Sequence, residues 1–114
     1  MDVISYTKYL RVSPRKLKLV VDAIKKEKIV NALAKLQFME KGIAARAVLK
    51  ALNSAIANAK NNHGLKEEDL SIKNMISEEG MRIKRMDKSH GARFGRGLIK
   101  KQLSHLKVIL TDNK

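Results

Sequence analysis

The spacing of hydrophobic residues changes along this chain, and each spacing predicts a different kind of element. From Val3 to Val12, β-branched and aromatic residues are mixed with polar ones, which predicts a strand. Ser13 and Pro14 then predict a helix start, because Ser is a favoured N-cap and Pro has its φ preset for the first helical position. The helix that follows has one apolar stripe at i, i+3, i+4 and i+7, formed by Leu17, Val20, Val21 and Ile24.

Two further helices are predicted by the same spacing. The second follows a turn at residues 25–28 and has the apolar positions Ile29, Val30, Leu33, Leu36 and Phe38. The third covers residues 41–61, and its stripe is made of Ala44, Ala47, Val48, Ala51, Leu52, Ala55, Ile56 and Ala59. The run of residues 61–64, which ends in Gly64, predicts the end of this helix because Asn and Gly tolerate the left-handed conformation.

After an acidic loop at residues 66–69, the hydrophobic period changes to two. One β-prone stretch begins at Leu70, with Gly80 predicted as a bulge or bend, and a second runs from about Leu98 to Thr111. In the second stretch, the alternation predicts that Leu106, Val108 and Leu110 point inward and that Lys107 points outward. The two stretches predict one long antiparallel hairpin whose base is apolar and whose far half is not.

Basic residues dominate the chain, which has a formal net charge of +14, and they are unevenly distributed. Residues 81–107 contain nine Lys or Arg and one acid, Asp87, with too few large apolar residues to offset the entropy of folding alone. The outer face of the first helix is also basic, relieved only by Asp22. A solvated face is the ordinary interpretation of such charges, but the lack of acids at i+4 favours a surface that faces phosphates.

This charge indicates nucleic acid as the first partner class and an anionic membrane as the second. Membrane binding requires a basic amphipathic helix with Trp or Phe on its apolar face, and none is found. The chain contains no Cys, no export signal and no 18-residue apolar run, so we expect a soluble protein of the cytosol or of an organelle matrix.

Little in the sequence suggests catalysis or a cofactor. Gly91, Gly95 and Gly97 form no dinucleotide fingerprint, because no helix follows them to receive a pyrophosphate. The three histidines, His63, His90 and His105, lack metal-ligand spacing, although His with Lys could cleave RNA by acid–base chemistry. Phe94 lies between two arginines, where its ring either stacks on a base or covers the stem of the hairpin.

Several strings in this sequence resemble the bacterial-type large-subunit ribosomal protein twenty-two family. The resemblance covers nearly the whole chain in unbroken order and is carried by residues 11–22, 32–33, 54–59, 62–64, 69–70, 78–80, 84–85 and 104–105. It implies an α+β fold of three helices on a small three-stranded antiparallel sheet, with a long basic hairpin extension. It also implies a role in binding and bridging large-subunit rRNA, with the hairpin lining the peptide exit tunnel. The tip at residues 86–95 departs from the family pattern, which usually has Arg-Pro-Arg there.

These observations predict one rRNA-binding domain over residues 1–114, with residues 81–105 as the arm, no enzymatic activity and no cofactor. On the helix-one side, the predicted rRNA-binding residues are Arg11, Arg15, Lys16, Lys18, Lys25, Lys26 and Lys28. On the arm they are Arg82, Lys84, Arg85, Lys88, Arg93, Phe94, Arg96, Lys100, Lys101 and His105. The resemblance implies that the tip near the tunnel, and near the nascent chain, consists of Lys88, Ser89, His90, Gly91, Ala92 and Arg93. The expected partners are rRNA and neighbouring ribosomal proteins, with the chain monomeric in the particle. Two alternatives remain open, an architectural DNA-binding protein with a basic β-arm and a basic ribonuclease.

Overall fold

A computed structural model describes residues 1–39, 42–89, 91, 95 and 97–113. Along the chain these residues form β1 (Asp2–Leu10), α1 (Pro14–Ile24), α2 (Ile29–Phe38), α3 (Gly42–His63), a 3₁₀ helix (Glu67–Asp69), β2 (Leu70–Met86) and β3 (Leu98–Asp112). The strands make one antiparallel sheet in the order β1-β3-β2. The predicted α+β class, with three helices, a three-stranded antiparallel sheet and a long hairpin, is confirmed.

Helix ends follow the predicted local signals. Ser13 is the N-cap of α1, and its hydroxyl oxygen accepts a hydrogen bond from the Lys16 N–H at 3.5 Å, while Pro14 occupies the first turn. At the other end of the helical region, α3 finishes at His63 and Gly64 follows with a φ of 65°. Because this left-handed conformation is unfavourable for residues with a Cβ, glycine is the natural residue there.

The helices cover one face of the sheet, and the core lies between the two layers. Leu17, Val20, Val21 and Ile24 of α1 are buried as predicted, and they pack in one cluster with residues of the sheet that include Val3, Leu106, Val108 and Leu110. The alternate residues of β1 and β3, among them Ile4, Tyr6, His105 and Lys107, lie on the other face, which we call the open face.

Two parts of the predicted core are wrong. Val30 is 70% exposed and Phe38 is 85% exposed, whereas the buried face of α2 consists of Ile29, Ala32 and Leu36. At about 100° per residue, Val30 and Phe38 lie well to the side of the 29–32–36 stripe, so they point away from α3 and the sheet. In α3, Ala47 was predicted to face the core but is only half-buried. Ala45, which was not predicted to face the core, is buried.

The hairpin of β2 and β3 extends beyond the helices. Its ladder runs from the Leu70–Asp112 pair to the Met86–Leu98 pair, with a register shift between Glu79 and Arg82 that confirms the predicted irregularity at Gly80. The molecule measures 63 × 26 × 18 Å. Beyond the shift, the described residues from 82 to 102 are exposed except for a half-buried minority. We use the term arm for residues 81–105, which end next to the buried core and include the buried Ser104, and base for the part of the hairpin that contacts the helices.

Candidate nucleic-acid interface

The outward side of α1 and the segments that flank it carry a group of cations. We define the helix-one face by the seven predicted cations, Arg11, Arg15, Lys16, Lys18, Lys25, Lys26 and Lys28, of which all but the half-buried Lys25 are exposed. Lys25 forms an ion pair of 3.2 Å with Asp22. Within the part of the chain that the structure describes, the other six have no acidic partner within ion-pair distance.

Apart from Asp22, the acids that form ion pairs in the described structure bind cations outside the helix-one face. Glu27 pairs with Lys35 of α2, Glu67 with Lys60 of α3 and Asp2 with Lys73 of β2, while Glu79 pairs with Arg82 three residues further along the same strand. Exposed pairs of this kind contribute little to stability. Their placement matters for a different reason, because it leaves the helix-one face with almost no internal neutralisation.

The arm brings like charges together across its two strands. Lys84 of β2 is the direct cross-strand partner of Lys100 of β3, and both are exposed. Like charges directly opposite each other in an antiparallel pair are destabilising. Arg85 donates a hydrogen bond of 3.0 Å to the carbonyl of Lys84, which holds its guanidinium along the arm. A polyanion that lies against the arm would offset the repulsion between Lys84 and Lys100.

The acid Asp87 is engaged in a local turn at the start of the tip. Its carboxylate accepts hydrogen bonds from the Ser89 hydroxyl at 2.6 Å and the Ser89 N–H at 2.9 Å, which lower the pKa of Asp87. The Asp87 N–H donates to the carbonyl of Gly97 at 2.8 Å and closes the hairpin. Lys88, Ser89 and Gly91 are exposed. The predicted contacts of His90, Ala92, Arg93, Phe94 and Arg96 lie outside the described residues.

Two clefts connect the basic surfaces. The first, of about 440 Å³, lies between the starts of α1 and α3 and is lined by Arg11, Lys16 and Ile43 among others. The second, of about 680 Å³, lies where the arm leaves the base, and we call it the arm-base cleft. Its lining consists of Tyr9, Arg11, Met81, Ile83, Arg85, Lys101, Gln102 and Leu103. Arg11 lines both, so the fold brings the helix-one face and the arm, far apart in sequence, to one continuous surface.

The open face of the sheet carries an aromatic cluster, of which only His105 was predicted from the sequence as a site residue. The rings of Tyr6 and Tyr9 lie 5.9 and 5.2 Å from that of His105, and Lys8 Nζ lies 5.4 Å from the centre of the Tyr6 ring. The Tyr6 hydroxyl donates a 2.6 Å hydrogen bond to Glu78, which raises the pKa of Tyr6. A signal was present in the sequence, since two of its few aromatic residues lie beside Lys8 and Arg11.

Of the predicted site residues, His105 differs most from expectation. It is half-buried, and its Nδ1 accepts a hydrogen bond of 3.0 Å from the backbone N–H of Tyr9. His105 therefore holds the backbone of Tyr9 in place through this hydrogen bond. Within the described ranges, no group of three or more His, Cys, Asp or Glu is placed to hold a metal ion, and no helix is both long and apolar enough to cross a membrane.

Comparison with known proteins assigns this basic fold to a family. The family model described as Ribosomal protein L22p/L17e matches residues 5–111. The chain is 38% identical to large ribosomal subunit protein uL22 of Mesoplasma florum over 100% of the chain and 99% of that relative. It is 40% identical to the uL22 protein of Halothermothrix orenii over 100% of the chain and 98% of the relative. A phytoplasma uL22 protein is 43% identical over 90% of the chain and 77% of its own length. With a family match over most of its length and two relatives that it covers nearly end to end, this chain belongs to the ribosomal protein L22p/L17e family.

Proposed function

We propose that this protein is a structural constituent of the large ribosomal subunit, located in the cytoplasm as part of the ribosome, and that it binds rRNA without catalysing a reaction. The family membership and the names of the relatives support the ribosomal role. The observation that carries rRNA binding is the set of exposed cations without acidic partners in the described structure, above all on the helix-one face. Such a surface is typical of proteins that neutralise phosphates.

The whole chain, residues 1–114, acts in this proposal as one rRNA-binding domain with two contact surfaces. The helix-one face binds phosphates at the surface of the subunit. The arm passes between rRNA segments, which neutralise the facing Lys84 and Lys100, and directs its tip toward the peptide exit tunnel and the nascent chain. Neighbouring ribosomal proteins contact the rest of the surface, and the chain is monomeric within the particle.

Sedimentation of an epitope-tagged copy of the chain in bacteria tests this proposal. In high salt, the tagged protein should travel with the large subunit. A variant with Arg15, Lys16 and Lys18 changed to Gln should move to the free pool, because it loses unpaired cations. The matched control changes Lys35, Lys60 and Lys73 to Gln, three cations already paired with acids, and should remain in the subunit. Recovery of the unaltered protein only in the free pool would contradict the proposal.

A further inference from the structure

Tyr9 has an unusual backbone for a large side chain. Its φ of 59° lies in the left-handed region, and it is the single non-glycine residue with positive φ in the described part of the chain. This conformation brings the Cβ of an L-residue too close to the following carbonyl, so a bulky residue keeps it only where the surroundings hold it there. Backbone strain of this kind is concentrated at binding and active sites, which makes the surroundings of Tyr9 informative.

His105 holds Tyr9 in this conformation through two contacts. His105 Nδ1 accepts the Tyr9 N–H at 3.0 Å, and the two rings meet edge to face with an interplanar angle of 86°. The register of β1 on β3 is irregular between Thr7 and Leu10, which gives room for this arrangement. Although it is anchored in this way, Tyr9 is 57% exposed. A strained backbone thus fixes an aromatic ring in position without burying it in the core.

Tyr9 lines the arm-base cleft, and the other lining residues have complementary chemistry. Ile83 and Leu103 are half-buried and give the cleft an apolar part, while Arg11, Arg85 and Lys101 supply positive charge. No acid lines the cleft among the described residues. A volume of about 680 Å³ is within the range of sites for single small molecules and is too small for a double helix.

We propose that the arm-base cleft binds one unpaired nucleotide of RNA. The base stacks on the Tyr9 ring beside the apolar part of the cleft, and Arg11, Arg85 and Lys101 bind the phosphates on either side. Aromatic rings stack on bases that are free of a helix, and cations bind phosphates whatever the sequence. This inference rests on the proposed function, which supplies RNA as the partner, and adds that the RNA is unpaired at this position.

Binding of two RNA probes to the full chain tests the inference. One probe is a stem-loop with a single bulged 2-aminopurine nucleotide, whose fluorescence falls on stacking, and the other is the same stem fully paired. Stacking of one base predicts that the bulged probe binds between about 5-fold and 150-fold more tightly, with fluorescence quenched. Tyr9→Gly removes the ring and accepts the positive φ, so it should bind both probes equally while its affinity for the paired stem stays unchanged.

Two variants serve as controls. Tyr9→Phe keeps the ring and should keep the preference for the bulge, and Phe38→Ala removes an exposed aromatic residue of α2 and should keep it too. A Tyr9→Gly protein that still prefers the bulge, or that loses affinity for both probes alike, overturns the inference. Failure of the unaltered protein to bind either probe at low salt contradicts the proposed function instead, so the two failures are distinguishable.

Discussion

A Cβ atom added to Gly80 would lie 2.9 Å from the carbonyl oxygen of Leu103 on the neighbouring strand. It would also lie 3.2 Å from Cε1 of His105. Both distances are shorter than ordinary van der Waals contact, and the nearer atom belongs to the backbone. The strands β2 and β3 therefore approach this closely at the register shift because residue 80 has no side chain.

Gly80→Ala should lower the free energy of unfolding by about 1–3 kcal/mol, the usual cost of forcing extra atoms into a packed position. Urea denaturation measures this change. Gly97→Ala is the matched control in the same hairpin, since a Cβ there meets nothing within 4 Å, and it should have little effect. Equal effects of the two substitutions would show that the strands separate at Gly80 without cost.

Ser104→Ala should raise the free energy of unfolding by about 1 kcal/mol. Ser104 is fully buried, and its hydroxyl has no hydrogen-bond partner among the described residues, so folding removes water from this group without replacing it. Thermal or urea unfolding provides the measurement. In the control, Ser77→Ala, the lost hydroxyl donates to the Pro14 carbonyl at 3.2 Å, and stability should fall. If both substitutions lower the free energy of unfolding, the Ser104 hydroxyl has a hydrogen-bond partner in the folded protein.

The ionisation of Tyr6 should be shifted to higher pH. Because its hydroxyl donates to the Glu78 carboxylate, the folded protein resists loss of that proton, and the pKa of Tyr6 lies above its usual value near 10.0. The stabilisation by this hydrogen bond is complete below the pKa of an unfolded tyrosine and is lost as pH rises through the folded value.

Absorbance titration of the phenolate in a Tyr9→Phe background, where Tyr6 is the remaining tyrosine, measures its midpoint. Glu78→Gln in that background should move the midpoint back toward 10.0, because it removes the negative acceptor. A midpoint that Glu78→Gln leaves in place would rule out the carboxylate as the cause of the shift.

Reversing charge on the helix-one face should abolish incorporation into subunits. Lys16→Glu with Lys18→Glu places acids against phosphates and turns attraction into repulsion. Deletion of residues 88–93 leaves the core and the helix-one face in place, so that protein should still enter the subunit while chemical probing of rRNA at the tunnel wall changes. Incorporation of both proteins at one salt concentration is compared. If the deletion blocks incorporation and the charge reversal does not, the anchor lies in the arm.

The affinity of the free protein for rRNA should fall steeply with salt. Each neutralised phosphate contributes roughly −0.7 to −0.9 to the slope of log K against log salt concentration, so about eight contacts give a slope near −6 or −7. Filter binding over a salt series measures the slope. A value shallower than about −3 would mean that most of the exposed cations contact water rather than phosphate.

Much of the fold was predictable because its determinants are local. The Ser13 cap and the Pro14 start act within the first turn of α1, the stripe from Leu17 to Ile24 acts along that one helix, and the alternation around Val108 acts along one strand. The stripe of α2 was less certain, since seven apolar residues in a ten-residue helix fit more than one face, and the choice of Ile29, Ala32 and Leu36 depends on what packs against them.

The candidate site was predictable in its charges and not in its geometry. Composition shows that cations are in excess, but the pairing of Lys73 with Asp2 depends on the tertiary fold, as does the absence of an acidic partner for Lys16 in the described structure. The support of Tyr9 by His105 joins residues 96 positions apart, which no local pattern reports. The prediction for Phe94 lies outside the described residues and stays a prediction.

The central place of β3 in the sheet has a consequence for how the chain folds during synthesis. β1 is made first, yet in the described structure its ladder partner is β3, which is made last. The three helices can therefore form early, whereas Val3 and the rest of β1 cannot pair in the sheet until residues 98–112 have been translated. Such long-range pairing is slow and leaves apolar surface exposed in the meantime. A nascent chain interrupted before β3 would have its helices without the sheet that completes the core, and it would be a substrate for aggregation or proteolysis.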